Sequence, residues 1–495
     1  MKRSAVRPLA GIAAALAFIA CFAAMPQRAH AGGFTITLMG GRRSATMVNL
    51  ATPDDTTAIF HNAAGLADQP GVRLHVGASL TFLSTRFEMQ ALDPTRFPEI
   101  NAPNCGRPGQ LRCWPIGSNG YYSNIIEPER TFGALPFLGA STDLRFLGRK
   151  DITVGLAVYA PNFYGAFLPS DAPTAYHLID GTFFVVATTA AVGWRINRYI
   201  AIGARLSYHY MRLGFSRKLS LIDSLTPPGQ APDGLATTGQ ALLGDLLLDY
   251  SGVDHGIGWG ASLLFNPFRW LAFGFNYGGA SAARFDGDVT FRGLGRQIRD
   301  QPPERLREVV STIGYKLPRS LIVELPIPHT LQWGVAVKPT RWLEIGVDYR
   351  LWLYNFFEKQ IISPRYDADE PGQEPLTEAQ LSRDKNYSVS YELGIGFLVR
   401  PLPTRRPDLE LMAGVSYDKS PIPDETFTLD NPSLDLIQIG SGVRMTLFRH
   451  WRVALTYMVL VYLQRDVTTS QTSPPTNARG RGVAHLPGVE VEYLF

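Results

Sequence analysis

Three sets of side chains in the sequence are spaced so as to do chemistry. Cys105 and Cys113 flank a turn-rich segment, Gly106–Arg112. In an oxidising compartment that spacing predicts a short disulfide clip, the alternative being two free thiols. With no histidine nearby the pair makes a poor metal site. Arg205 and Arg350 fall on the polar side of alternating runs and are candidates to bind a carboxylate. Their alternative is an ion pair with acids such as Glu344, Asp348 or Glu392. Asn62, Ala63 and Ala64 lie in a stretch of small, turn-forming residues, where Asn62 would hydrogen-bond the backbone. Catalysis finds no support. Nine histidines are scattered, and neither a Gly-x-Ser-x-Gly elbow nor a His-Glu-x-x-His helix occurs. The reading is therefore no enzyme, no metal and no cofactor.

The elements that hold these residues are strands. In Trp451–Leu463 every odd position is apolar. Leu343, Ile345, Val347, Tyr349, Leu351 and Leu353 alternate with Glu344, Gly346, Asp348 and Arg350. Ile200, Ile202, Ala204, Leu206, Tyr208 and Tyr210 alternate with Arg205, Ser207 and His209. Side chains point to opposite faces along a strand, so each run has one apolar and one polar or small face. Fourteen such strands are predicted: 71–90, 131–145, 150–160, 181–196, 199–219, 251–267, 269–292, 318–339, 341–362, 385–401, 408–418, 434–449, 451–466 and 482–495. Links after even-numbered strands are short, such as Arg195–Arg198, Asn266–Arg269 and Lys338–Arg341. Those after odd strands are mostly long: 91–130, 161–180, 221–250, 293–317 and 363–384. Short turns at one end and long loops at the other mark an outer-membrane barrel. Tyr199, Trp270, Trp342 and Trp451 open strands as an interfacial girdle would. The fold class is thus all-β, a 14-stranded antiparallel transmembrane β-barrel whose even count puts both termini on the periplasmic side.

The N-terminus explains the charge. Of 495 residues, 47 are basic and 43 acidic, for a formal charge of +4. Lys2, Arg3, Arg7 and Arg28 lie in residues 1–31 with no acid; without them the signs balance, which gives little support to nucleic-acid binding. A basic start, apolar Leu9–Ala24 and the small-x-small Ala29-His30-Ala31 read as a signal peptide. Residues 32–70 do not read as strand. Phe34, Ile36, Leu38, Ile59, Phe60 and Leu66 are more apolar than a disordered tail allows. Eight strands fill a barrel with their own side chains, and 16–18 leave a channel, so an N-terminal hatch inside the lumen fits fourteen. The domains are then 1–31 signal peptide, 32–70 hatch and 71–495 barrel.

Ala51–Ala67 resembles the hatch motif of the FadL-type hydrophobic-compound channels, which include the long-chain fatty acid transporter and its toluene and xylene relatives. Gly414–Glu425 resembles a second block of that family, and His485–Phe495 its closing strand. The resemblance implies a fourteen-stranded barrel with a hatch, and an Asn-Pro-Ala turn matched by Asn62, Ala63 and Ala64. Ala63 departs from the family's proline, which would pre-set φ. The resemblance also implies that residues from Gly32, Gly33, Phe34 and Ile36 to Leu38 insert into a lumen pocket, and that the wall has a lateral exit.

Function is expected from apolar surfaces. Loops 221–250 and 293–317 carry helix-like segments, Ala241–Tyr250 and Pro303–Ile313, that would either form an external groove or pack on each other. Phe163 and Phe167, in the aromatic 161–180 loop, would line the pocket or kink the wall. The expected partners are hydrophobic small molecules, outer-membrane lipid and lipopolysaccharide, and the assembly machinery that reads a final aromatic strand; the chain is expected to be a monomer. A polar porin would lack the hatch, and a purely structural barrel would need no apolar pocket. The reading is passive uptake, with fatty acids placed ahead of aromatic hydrocarbons.

Overall fold

The two-residue period becomes a closed wall. The computed structural model describes residues 38–97, 100, 114–128, 131–220, 222, 244–294, 301–312, 314–367, 374–406 and 408–495. The wall strands are β1 (Val72–Met89), β2 (Thr131–Asp143), β3 (Ile152–Phe167), β4 (Asp180–Arg195), β5 (Ile200–Leu219) and β6 (Leu246–Phe268). They continue as β7 (Leu271–Gly278, then Ser281–Gly293), β8 (Ser320–Ile327, then His329–Val337), β9 (Leu343–Leu353) and β10 (Ser390–Val399). The last four are β11 (Leu409–Asp418), β12 (Leu436–Leu447), β13 (Trp451–Val467) and β14 (Ala478–Leu494). Neighbours pair antiparallel, and β1 pairs with β14 from Arg73↔Leu494 onward, which closes the barrel. Both chain-terminal strands end at the short-turn rim, where the Phe495 N–H bonds the Val72 carbonyl at 2.9 Å. Leu206, Ile257, Leu455 and Val489 are among the apolar side chains exposed on the outer face, and Tyr199, Trp270, Trp342 and Trp451 are exposed at the short-turn rim.

Four expected boundaries are corrected. The runs 269–292 and 318–339 are each interrupted, at Gly279–Ala280 and at Pro328. Proline has no N–H for the ladder; Pro326 pairs with Ala282, and Pro328 falls in the break between Ile327↔Ser281 and Thr330↔Gly278. β3 runs past residue 160 to Phe167 through a bulge between Tyr159 and Asn162, so Phe163 and Phe167 belong to the wall rather than to a loop. Pro161 sits in that bulge, and above Tyr159 the ladder between β2 and β3 ends. Leu246–Tyr250 is strand, not helix. A run of leucines fits either period, and here the pairing with β5 decides. Pro303–Thr312 is helical as expected.

Residues 38–70 lie inside the barrel, toward the short-turn rim. They form helix α1 (Gly41–Thr46), helix α2 (Ala58–His61) and a 3-10 turn, Ala63–Asp68. The other half of the lumen is closed by an apolar cluster of wall and loop residues that includes Phe87, Phe183, Phe285, Trp352, Phe427 and Tyr462. The Pro303–Thr312 helix turns Leu306 and Val310 into this cluster, so its apolar face is covered rather than presented as an outer groove.

Candidate functional site

The hatch is held differently on its two sides. Toward β9–β14 and β1 it is held by charge. Arg42 pairs with Glu344 of β9, and with Asp54 at 2.9 Å. Arg43 places one nitrogen 2.5 and 2.7 Å from the two oxygens of Glu392. Asp348 accepts the Asn49 and Leu50 N–H groups at 2.7 and 3.1 Å. Asp54 accepts two bonds from Arg444, at 3.0 and 2.6 Å. Glu492 accepts the Thr56 hydroxyl at 2.8 Å. Burial opposes ionisation of Asp54, but Arg444 and Arg42 outweigh it and hold its carboxyl well below the usual range. Its contribution is complete above about pH 4 and is lost only as the pH falls through that depressed value.

Toward β3–β6 the hatch is held mainly by small and apolar contacts. Met39, Ile59, Ala63 and Leu66 form a cluster with Phe137, Tyr159, Ala187 and Ala191. Asn62 caps the 3-10 turn, accepting the Ala64 N–H at 3.2 Å and donating to the Leu50 carbonyl at 2.7 Å. It is fully buried, and the backbone role expected for it accounts for its polar groups. The Ala64 N–H also reaches Ser262 of β6 at 2.9 Å.

A girdle of inward-facing wall glycines lets the hatch backbone touch the wall. A Cβ on Gly274 would lie 1.9 Å from the Leu50 carbonyl oxygen, one on Gly414 2.1 Å from that of Thr46, and one on Gly203 2.2 Å from the Ala64 nitrogen. These residues were not singled out in the sequence, although their parity within the strands marks them as inward.

The two candidate arginines part company. Arg350 is fully buried and paired. It contacts Asp348 at 2.8 Å, Asn49 Oδ1 at 2.9 Å and the Met47 carbonyl at 3.2 Å. The ion pair is its alternative reading, and the contacts to Met47 and Asn49 make it an anchor of the hatch. Arg205 is half-buried on the inner face of β5, with its guanidinium 5.6 Å from the Phe60 ring. Among the described residues it has no hydrogen-bond or ion-pair partner, and its Nη1 is buried and unmatched. Across the ladder it faces Ala191 and Gly260 rather than an acid. His209, four residues on, also faces inward with an unmatched Nδ1. A planar cation beside an apolar lumen can accept a carboxylate.

Leu38 is buried in the apolar cluster. Phe167 is half-buried in β3, close to Ala166 and Leu168. Those two residues, with Phe87, Leu429 and Tyr462, border a cavity of about 20 Å³, room for one water. Gly32, Gly33, Phe34, Ile36, Cys105, Cys113 and the side chain of Phe163 lie outside the described residues, as does 1–31. Below the hatch a vestibule of about 950 Å³ is bordered by Arg42, Asp54, Arg198, Lys338, Arg400 and Arg452.

The charged side makes a prediction. Glu392→Ala removes the carboxylate that Arg43 and Arg350 share, and breaking a buried pair costs about 3–5 kcal/mol. Hydrogen exchange in residues 40–50 should accelerate while the wall strands keep their protection. Unchanged exchange in that segment would contradict the anchoring role.

Residues 23–495 match the family described as Outer membrane protein transport protein (OMPP1/FadL/TodX). The fold is similar to that of a Pseudomonas aeruginosa FadL homologue, with TM-score 0.71 and 16% identity over 94% of this chain and 100% of that one. It is similar to the Pseudomonas putida toluene transporter TodX, with TM-score 0.62 and 13% identity over 95% and 99%. For the Ralstonia pickettii toluene transporter TbuX the values are 0.58 and 15% over 92% and 98%. No curated protein matches the sequence significantly.

Proposed function

Since the chain belongs to the Outer membrane protein transport protein (OMPP1/FadL/TodX) family, and so is an outer-membrane channel for hydrophobic compounds, we propose that the compounds it passes are long-chain fatty acids. The observation that carries this is Arg205, an unmatched cation on the inner wall below an apolar cluster that would hold an acyl chain. A neutral hydrocarbon has no use for that charge, and leaving a guanidinium half-desolvated without a partner costs stability.

In this reading residues 1–31 are removed as a signal peptide, the long loops face outward and both termini lie in the periplasm. The final aromatic strand is read by the assembly machinery, and the wall is bordered by lipid and lipopolysaccharide as a monomer. The ligand enters as the apolar cluster parts, and its carboxylate settles on Arg205 against Phe60. The hatch half at 58–68, which few charges hold, is the half that shifts; segment 40–56 stays on its ion pairs. Gly32–Leu38 follows that shift, and Asn62, Ala63 and Ala64 form its hinge. Release is passive. Neither chemistry nor a bound cofactor is required.

The test is uptake in cells that lack their own fatty-acid channel. Expression of the protein should raise entry of labelled oleate well above background and above entry of labelled toluene. Toluene uptake without oleate uptake would overturn the choice of substrate in favour of aromatic hydrocarbons. Rapid entry of sugars would favour a polar porin.

A further inference from the structure

The two rims of the barrel differ in charge. The six short turns (144–151, 196–199, 269–270, 338–342, 400–408 and 448–450) hold eleven basic residues and two acids, Asp151 and Asp408. Some of these cations are neutralised: Arg149 by Asp151 at 2.7 Å, Arg406 by Asp408 at 3.2 Å and Arg400 by Glu410 at 2.6 Å. Lys150, Arg198, Arg269, Arg341, Arg405 and Arg449, one in each turn, are exposed and have no acidic partner among the described residues. At the long-loop end exposed arginines such as Arg86, Arg292 and Arg365 are paired, with Glu127 at 2.7 Å, Asp249 at 3.0 Å and Asp286 at 2.8 Å.

Each of the six unpaired cations shares its turn with an exposed apolar side chain. Phe146 goes with Lys150, Ile196 with Arg198, Phe268 with Arg269, Trp342 with Arg341, Leu402 with Arg405 and Phe448 with Arg449. Phe448 is the extreme case, 86% exposed. Its φ is 51° and that of Arg449 is 67°, in a turn closed by the His450 N–H on the Leu447 carbonyl at 3.2 Å. Such a turn favours Asn-Gly, and a bulky residue there is strained. Strain kept at an exposed tip points to a role outside the fold. The depth of these turns follows from β1, where outward Val72, Leu74, Val76 and Phe82 are apolar and exposed and Ser84 and Arg86 follow. From Val72 to Phe82 a tilted strand rises about 25 Å, the height of a barrel's apolar band. The band therefore begins at the short-turn rim, and the turns emerge directly into the headgroup layer. A cation beside an apolar group at that depth meets a phosphate above an acyl chain.

We propose that the short-turn rim is a binding surface for anionic phospholipid, each turn taking a headgroup phosphate on its unpaired cation while the neighbouring apolar side chain packs on the acyl chain. Charge complementarity and continuity with the lipid-facing wall favour this occupant over an acidic protein. The proposal rests on the reading above that the short turns face the periplasm, and so the phospholipid leaflet; it does not depend on the substrate.

The purified protein, reconstituted in phosphatidylcholine bilayers, carries its own probes, because Trp270, Trp342 and Trp451 are exposed at this rim. Brominated phosphatidylglycerol and brominated phosphatidylcholine are titrated in turn, and quenching of tryptophan fluorescence gives their relative association. A basic residue near an anionic surface strengthens association by about fivefold, so phosphatidylglycerol should be preferred about fivefold or more. In about 0.5 M salt the wild-type preference should fall to within about twofold, a reading that needs no substitution. It should fall likewise when the six cations are each changed to Gln, and persist in Arg86→Gln, Arg292→Gln, Arg365→Gln. Equal association of the two lipids with wild-type protein overturns the proposal, as does a preference that survives the six changes. Equal lipid association together with binding of soluble polyglutamate that the six changes abolish overturns it in favour of an acidic protein partner. The orientation is tested apart, on intact cells, with a membrane-impermeant maleimide: above the wild-type background Thr312→Cys should label and Lys150→Cys should not. The reverse pattern overturns the orientation reading, and with it the phospholipid leaflet as the source, whatever the lipid titration gives.

Discussion

Arg205→Gln is expected to weaken binding of a long-chain fatty acid by about 10- to 100-fold while leaving toluene affinity within about twofold, since a hydrogen bond to a charged group contributes about 1.5–3 kcal/mol. The same substitution should raise thermal stability. In the free protein the guanidinium is half-buried with no partner among the described residues, so removing it removes a desolvation cost. Loss of affinity with gain of stability separates a ligand-binding cation from a structural one. Arg350→Gln should do the opposite: it breaks contacts to Asp348, Asn49 and the Met47 carbonyl and loosens the hatch. Arg205→Lys keeps the charge but loses the planar fork and should fall between. Equal loss of acid and toluene binding in Arg205→Gln would mean that the residue shapes the lumen rather than recognising a carboxylate.

Gly414→Val is expected to unseat the hatch and leave the wall intact. Its Cβ would sit 2.1 Å from the Thr46 carbonyl oxygen and 2.3 Å from the carbonyl carbon. That is backbone of α1, a helix held by the Arg42 and Arg43 ion pairs, and cannot turn aside as a side chain could. Overpacking of this kind costs about 1–3 kcal/mol, and more where backbone must move. Liposomes carrying the variant should swell rapidly in small sugars, and protease should cut within 40–56. The barrel should still migrate as a heat-modifiable band. Gly214→Ala is the matched control, because its Cβ would meet only the Tyr250 carbonyl at an ordinary 3.5 Å. A tight, sugar-impermeable Gly414→Val barrel would contradict the glycine girdle.

Much of this architecture could be read from alternation. The parity of Glu344, Asp348 and Arg350 against Leu343, Ile345 and Val347 put the charges inside, and there they hold the hatch. Connection lengths distinguished the two rims, and the apolar content of residues 32–70 pointed to a hatch in the lumen, where 38–70 lie. Other features depend on register, which a single run does not show. Arg205 and Arg350 both fall on the polar side of their runs, but Arg350 pairs across the ladder with Glu392 and Arg205 with Gly260. One is neutralised and the other is not. The sequence holds 47 glycines. Several of those glycines in fact face inward at hatch level, where backbone meets backbone. The two broken strands had their signals in plain sight, Pro328 in one and Gly278-Gly279 in the other. Periodicity counts side chains, however, and does not register a missing N–H.

The central claim is that the lumen recognises an acid and not merely a hydrophobic chain. Equilibrium binding of a matched pair to the purified wild-type protein at neutral pH tests it most directly: a long-chain fatty acid against its methyl ester, which share a tail and differ in charge. The account predicts that the acid binds at least about tenfold more tightly, a difference of about 1.4 kcal/mol. Equal affinity for the two would contradict it.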